Sequence, residues 1–362
     1  MASGTQHRSR IARLRKRMAA ESLDYFLTTS APQLQYLVGY TGSNGLLILS
    51  QKTSDFWTDG RYRAQASKEV FGAKVSIIPG DLLANLPKYP ALSKGRPRVG
   101  IEPGQITEKT GKRLRELLPR ALYVTLDDFV SPLMQIKDSG ELANIRRAAE
   151  IAETALAEML HLIKPGVRER DLAAELEYRM SRGGSERPAF ETIVASGYRS
   201  ALPHGRASEK KVQKGDFITF DFGATVSGYV SDVTRTVVVG KATARQKKVY
   251  NLVLKAHDVA IAKARPGMKC SDLDKVARDI ITRGGFGKEF DHSLGHGIGL
   301  VIHEAPGLSV RSQQVLQTGM VVTIEPGIYI AGWGGVRIED DILIRPGKAQ
   351  VITTSDRRLL EL

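Results

Sequence analysis

The chain has 362 residues, with 53 lysines and arginines against 39 aspartates and glutamates, a net charge of +14. Hydrophobic residues make up 42% and charged residues 25%, which excludes a disordered chain and at this length points to two or three domains with a sizeable core. A single cysteine excludes an internal disulfide and a thiolate-rich zinc site.

The basic surplus begins at once: Arg8, Arg10, Arg13, Arg15, Lys16 and Arg17 all precede the first acid, Glu21. Beyond residue 20 the balance is 47 to 39, or +8, without a second comparable run. Ile11, Leu14 and Met18, three and four apart, predict a helix resting an apolar stripe on the body with its charged face solvated. No nucleic-acid partner is expected from charge alone. Aliphatic runs such as Leu46–Leu49 fall far short of the ~20 residues a membrane span needs, and the first residues lack the apolar core of a secretory signal. The expectation is a cytoplasmic protein with no membrane partner.

Strands are expected at 25–28, 46–49, 55–58, 75–78, 99–102 and 123–126, with helices at 61–70 and 108–118. This alternation reads as an α/β domain. A boundary follows at 127–139. Asp138 and Glu141, spaced as a capping box, then open a long helix whose apolar positions are Leu142, Ile145, Ala149, Ala152, Leu156, Met159 and Ile163.

The remaining two-thirds contain an internal repeat. Pro165-Gly166, Asp171-Leu172 and Arg182-Gly183-Gly184 recur as Pro266-Gly267, Asp272-Leu273 and Arg283-Gly284-Gly285, always at an offset of 101. Gly215, Thr219, Asp221 and Gly223 recur as Gly319, Thr323, Glu325 and Gly327 at an offset of 104. The period is too long for a solenoid and fits two related halves, each a helix pair followed by strands, with a site on a pseudo-twofold axis.

Each half carries a hairpin with two acids. Asp221 and Asp232 are 11 apart, so a hairpin centred on Val226 and Ser227 places them directly opposite. Glu325 and Glu339 are 14 apart and oppose each other about Gly332, with 330–334 as a five-residue loop. Taken singly, either hairpin is compatible with acids on a solvent face, balanced by Arg235 or Arg337. Two such hairpins in repeated halves favour one shared site, and the natural compensation for four clustered carboxylates is one or two divalent cations. Three of the seven histidines, His292, His296 and His303, fall within 12 residues between the hairpins. His303-Glu304 is not a helical zinc motif, because Pro306 and Gly307 follow; Gly295, Gly297 and Gly299 are not a phosphate loop, because no helix start follows. One imidazole is expected to complete a metal shell and the others to move protons or stabilise an oxyanion. His204 sits in a loop after Pro203 and by itself carries little signal.

These residues resemble the metal-dependent peptidases that include methionine aminopeptidase, Xaa-Pro aminopeptidase and Xaa-Pro dipeptidase (prolidase). Residues 138–362 resemble their pita-bread catalytic domain, whose ordered ligands Asp, Asp, His, Glu, Glu match Asp221, Asp232, His296, Glu325 and Glu339. Residues 1–135, with Gly39-Tyr-Thr-Gly-Ser-Asn44 and Trp57-Thr-Asp-Gly-Arg-Tyr62, are similar to the amino-terminal domain of the Xaa-Pro enzymes and creatinase. The implied fold is an α/β domain with a mixed sheet, followed by an α+β pita-bread domain with pseudo-twofold symmetry. The resemblance implies two divalent ions, held by Asp221 and Asp232 and by His296 and Glu325, with Asp232 and Glu339 shared. An oxygen-rich shell with one imidazole suits Mn²⁺ or Co²⁺, with Zn²⁺ or Fe²⁺ as alternatives. Glu325 would take and pass a proton, His204 would steady an oxyanion, and His292 and His303 would line the substrate pocket. Arg337 shares a strand face with Glu339 and is expected to pair with a metal-binding carboxylate.

The implied substrates are peptides with proline second, and the resemblance implies a homodimer. The Xaa-Pro bond is a tertiary amide without N–H, so a site that accepts the ring gains what ordinary peptidases lose. Dipeptidases must read the free carboxylate of proline, and many resemble His-Glu-x-Pro-Arg where this chain has Gly307 after Pro306. The expectation is therefore an aminopeptidase, with the dipeptidase as alternative and methionine aminopeptidase or a silent binding homologue behind it.

Overall fold

A computed structural model describes residues 4–362, which divide into a unit ending at Met134 and one running from Gln135 to Leu362. Helix α1 (Gly4–Ala20) buries Ile11, Leu14 and Met18, the stripe set by their spacing. Its charged face is less solvated than expected. Arg10 is buried, donates Nη1 to Tyr36 O at 2.9 Å and lies 4.3 Å above the Tyr36 ring.

The chain of the first unit continues through β1 (Tyr25–Thr28), α2 (Ala31–Val38), β2 (Leu46–Ser50), β3 (Ser54–Thr58), α3 (Arg63–Glu69), β4 (Lys74–Ile77), β5 (Arg98–Ile101), α4 (Glu108–Leu117) and β6 (Leu122–Thr125). The sheet order is β4-β3-β2-β1-β5-β6. β1, β2 and β3 are antiparallel neighbours, whereas β3–β4, β1–β5 and β5–β6 run parallel. The sheet is thus mixed, and Leu46–Leu49 is an unbroken apolar run because all four residues are buried. Helix α3 starts two residues later than expected: Asp59 accepts from Arg61 N at 2.9 Å and holds 60–62 as a 3₁₀ turn.

In the second unit α5 (Ser139–Met159) opens with the expected capping box: Asp138 Oδ1 accepts from Gly140 N and Glu141 N, and Glu141 Oε2 accepts from Asp138 N. The first half continues with α6 (Glu169–Arg182), β7 (Ile193–Ser196), β8 (Phe217–Phe222), the short strands β9 (Thr225–Val226) and β10 (Tyr229–Val230), and β11 (Val233–Val238). The second half comprises α7 (Ala244–Lys263), α8 (Cys270–Arg283), β12 (Gly295–Gly297), β13 (Glu304–Leu308), β14 (Val321–Ile324), β15 (Gly327–Ile330), β16 (Gly334–Arg337), β17 (Asp340–Leu343) and β18 (Gln350–Val351). The repeat is structural as well as sequential. Arg168 bridges Lys211 and its counterpart Lys269 bridges Val315. Gly166 and Gly267 hold the preceding turns at φ +96° and +84°, where a side chain would be strained. Each helix pair has its own core: Leu156 and Leu176 pack with Ile218 and Phe220, Val253 and Leu273 with Val322 and Ile342. Thr234 bridges Glu339, so the halves meet where β11 passes β17.

One hairpin register differs from expectation. Asp221 faces Thr234 rather than Asp232, because the turn falls one residue later, at Ser227-Gly228, both with positive φ. Glu186 fixes that turn by accepting from Ser227 N at 2.7 Å and Gly228 N at 3.1 Å. Moving the turn by one residue shifts the opposition by two, so Asp232 stays on the face of Asp221 as a diagonal neighbour. The second hairpin keeps the expected register, Ile324 with Asp340 and Gly327 with Arg337. Its loop is shorter than expected, because Ile330 pairs with Gly334 and only 331–333 are left to turn. Among the described residues, no helix is long and apolar enough to cross a membrane.

Candidate metal centre

The strands deliver the five predicted ligands to one region of the second unit. Asp221 comes from β8, Asp232 precedes β11, His296 lies on β12, Glu325 follows β14 and Glu339 precedes β17. Ligand atoms of Asp232, His296 and Glu339 all lie within 4.8 Å of one another. His296 Nε2 is 3.6 Å from Asp232 Oδ2 and 3.4 Å from Glu325 Oε1. Asp221 joins through Arg337, whose Nη2 pairs with Asp221 Oδ2 and whose Nε donates to Thr234 Oγ1 at 3.0 Å. Thr234 Oγ1 in turn donates to Glu339 Oε2 at 2.6 Å.

Local sequence explains the convergence. Gly295 lets β12 press against β14, since a Cβ there would lie 2.1 Å from Thr323 O. The same threonine aligns two ligands: Thr323 Oγ1 accepts from His296 N at 3.0 Å and donates to Glu325 Oε1 at 3.1 Å. Gly297 is equally confined on the other side, where a Cβ would sit 2.4 Å from Ala305 O. The glycine spacing therefore serves strand packing. Glu304 opens a strand, not a helix, and its carboxylate pairs with Lys137 Nζ at 2.7 Å in a buried bridge.

Burial raises the carboxyl pKa of Asp221, and raises those of Asp232 and Glu339 well above the usual range, reinforced in the latter two by neighbouring carboxylates. Glu325 is pushed up to about 8, chiefly by burial. Burial lowers His296 to about 4, leaving a neutral imidazole near pH 7. Its Nδ1 lies 3.1 Å from Gly297 O, which assigns the proton there and turns the Nε2 lone pair toward Asp232 and Glu325. Asp221 Oδ1 and Asp232 Oδ1 are buried without a hydrogen-bond partner among the described residues. Uncompensated buried oxygens beside a neutral imidazole are a poor arrangement for a protein alone and a good one for divalent cations. The donor set fits such ions. The acids do not occupy a solvent face, and Arg235 pairs with Asp340 at 2.8 Å instead of with a candidate ligand.

The other candidates are placed unequally. Arg337 is buried and meets a carboxylate as its strand parity implies. His303 is exposed, its ring centroid 4.4 Å from that of His296. His204 is exposed on the loop after β7, next to Pro203, whose carbonyl accepts from Arg337 Nη1 at 3.0 Å. His292 is half-buried and held by the chain: Nδ1 donates to Ser293 O at 2.8 Å and Nε2 accepts from Tyr329 OH at 2.9 Å. Tyr329 OH accepts from Arg337 Nη1, also at 2.9 Å, so both His292 nitrogens are spent on the chain itself. Burial lowers His292 to about 4 and raises the Tyr329 phenol to about 12. Tyr329, Thr234, Thr323 and Asp341, whose Oδ2 accepts from Asp232 N at 3.0 Å, were not evident as site residues from sequence. A signal existed: Thr234, Thr323 and Asp341 each stand two residues from a candidate ligand, and Tyr329 stands four from Glu325, the parity of a shared strand face.

A buried cluster of carboxylates and one imidazole, built at the joint of two related halves, defines a metal-dependent hydrolase of the pita-bread fold. The metallopeptidase family M24 matches residues 143–346 and the creatinase/prolidase N-terminal domain matches residues 10–133. The chain belongs to the M24 metallopeptidase family and is an exopeptidase of that group. It is 38% identical to the Xaa-Pro dipeptidase of Pyrococcus horikoshii, covering 95% of this chain and 96% of that one. Among solved structures it is similar to an Xaa-Pro dipeptidase from Bacillus anthracis (41% identity, TM-score 0.95, 98% and 100% coverage). It is also similar to an X-Pro aminopeptidase from Thermotoga maritima (37% identity, TM-score 0.90, 96% and 100% coverage).

Proposed function

We propose that the protein is an Xaa-Pro dipeptidase, hydrolysing the bond between the first residue and proline in dipeptides. The observation that carries this reading is the donor cluster of Asp232, His296 and Glu339, with Glu325 beside His296 and Asp221 joined through Arg337, in a chain that aligns end to end with proteins of that name. The aminopeptidase expectation rested on Gly307, which removes one candidate cation but leaves others, and it has the weaker support among the named relatives. It is retained as the second reading because the Thermotoga maritima protein bears that name.

Asp221 and Asp232 would hold one ion and His296 and Glu325 a second, with Asp232 and Glu339 shared. When bound, such ions, Mn²⁺ in first place, polarise the scissile carbonyl and make water acidic enough to attack near neutral pH. Thr323 Oγ1 donates to Glu325 Oε1 at 3.1 Å and keeps that carboxylate oriented to take a proton and pass it toward the departing proline nitrogen. His204, exposed on its loop, is free to donate to the carbonyl oxygen as charge develops there. Arg337 anchors Asp221, Tyr329 and the His204 loop at once, so these groups meet the substrate already aligned.

The deciding assay compares Ala-Pro with Ala-Pro-Ala under Mn²⁺. Faster hydrolysis of the dipeptide is expected; preferential release of alanine from the tripeptide would replace this reading with the aminopeptidase. Chelation, or Asp232→Asn, is expected to abolish both activities.

A further inference from the structure

We propose that Glu169 is the positioning residue of the His204 loop. Glu169 opens α6 and is fully buried, yet it touches none of the candidate ligands. Its Oε1 accepts from Ser196 N at 2.7 Å and Ser196 Oγ at 2.8 Å. Its Oε2 accepts from Arg199 Nε at 3.0 Å, Ser208 N at 3.1 Å and Ser208 Oγ at 2.6 Å. A buried carboxylate needs a countercharge and filled lone pairs, and Arg199 with the two serines supplies both. The placement of these donors gives the site its meaning. Ser196 ends β7, Arg199 lies in the 3₁₀ turn 197–201, and Ser208 lies beyond His204, so one carboxylate ties both ends of a single loop. Arg199 Nη2 tightens it further by donating to Arg206 O at 2.6 Å.

The loop's far side is fastened to the metal centre. Pro203 O accepts from Arg337, the arginine that pairs with Asp221, and Ser200 Oγ accepts from Gly335 N at 2.8 Å. His204 itself makes no hydrogen bond among the described residues, so its position is inherited from the backbone that Glu169 and Arg337 hold. The second half reaches the same result from a different residue. Position 270, the counterpart of 169, is a buried cysteine. There Asp274, also buried on its helix, accepts from Leu294 N at 3.0 Å and pairs with Arg278. Arg278 donates to Phe290 O and His292 O, both at 2.7 Å. Each half thus fastens a histidine-bearing segment to its second helix through a buried carboxylate paired with a partly exposed arginine.

The catalytic part of this inference rests on the dipeptidase reading, and the experiment separates the two. Hydrogen–deuterium exchange and Ala-Pro kinetics are measured on the Mn²⁺-loaded full chain and its Glu169→Gln variant, which keeps the shape and removes the charge. Amides of 197–208 are expected to exchange at least about tenfold faster in the variant, with β8 unchanged. The kcat is expected to fall about 10- to 100-fold with KM shifted less than about threefold. In a His204→Ala background the same substitution is expected to cost less than about threefold more, because the group it positions is gone. Unchanged loop exchange overturns the proposal, as does an equal kcat loss with and without His204. If the wild type does not cleave Ala-Pro, the dipeptidase reading fails and loop exchange alone decides the role of Glu169. Should E169Q not fold, Ser208→Ala carries the exchange test: faster loop exchange supports the proposal and unchanged exchange overturns it.

Discussion

At the scale of single residues, the metal centre depends on small hydroxyls as much as on its acids. Thr234 donates to Glu339 Oε2 and accepts from Arg337 Nε, so one hydroxyl fixes the orientation of a candidate ligand and of the arginine that holds another. Removing it leaves the acid count unchanged and frees Glu339 to rotate. Thr234→Val, close in volume, is therefore expected to weaken divalent-ion affinity about 10- to 100-fold. Calorimetric titration with Mn²⁺ checks this, and an unchanged affinity would make the threonine a packing residue. A contrasting change adds rather than removes a group. Gly307 has open space around it, with nothing within 4 Å of the position a Cβ would take. Gly307→Arg is expected to lower KM for Ala-Pro several-fold, by offering the proline carboxylate a cation, and to leave kcat nearly unchanged. Steady-state kinetics on Ala-Pro and Ala-Pro-amide separate the two, since the amide carries no carboxylate and should not benefit.

At the scale of elements, function depends on how closely two strands approach. Gly295 places β12 against the carbonyl of Thr323, and any side chain there forces the strand that carries His296 away from β14. Gly295→Ala is expected to destabilise the fold by at least about 2 kcal/mol and to abolish metal binding, as read by denaturant unfolding and Mn²⁺ titration. Retained metal binding would mean that His296 follows the strand without loss. This contact also marks what was legible in advance. The acids and His296 were visible because charged groups in apolar strand sequence have few benign explanations, and the Glu325–Glu339 register followed from spacing alone. The Asp221–Asp232 opposition did not, because the turn position is decided by Glu186, which binds Ser227 N and Gly228 N from 41 and 42 residues away. The link from Arg337 through Tyr329 to His292 was hidden for the same reason. Strand parity gives the face of each residue, but only tertiary packing shows that His292 Nε2 meets Tyr329 and not open space. Thr234, Thr323 and Asp341 lay within reach of the parity rule, two residues from a candidate ligand, yet neutral hydroxyls in strands are too common to stand out.

At the scale of the whole molecule, a chain of net charge +14 gathers four largely buried carboxyl groups, Asp221, Asp232, Glu325 and Glu339, where two halves of its second unit meet. Long-range attraction from the surplus is screened within about 8–10 Å at ordinary salt, so the site must be compensated locally. Arg337 supplies part of that compensation through Asp221; burial, reinforced by neighbouring carboxylates, raises the pKa values of Asp232, Glu325 and Glu339. The sign of the pH dependence follows. A carboxyl whose folded pKa lies above its unfolded value favours the fold at low pH, and this contribution is lost as pH rises from the unfolded pKa through the folded one. For Glu325 that window runs from its ordinary 4.5 to about 8. The chelated protein is thus expected to lose stability between pH 5.5 and 8.5, relative to a Glu325→Gln variant whose side chain does not titrate. Divalent ions reverse the trend, because they require the deprotonated carboxylates and bind more tightly as pH rises. Thermal unfolding at pH 5.5, 7 and 8.5, with EDTA and with Mn²⁺, should show a metal-induced rise in Tm that grows with pH by several degrees. A rise that is constant or shrinks with pH would mean that the acids are already ionised without metal, held by protein groups rather than by the ions they are arranged to bind.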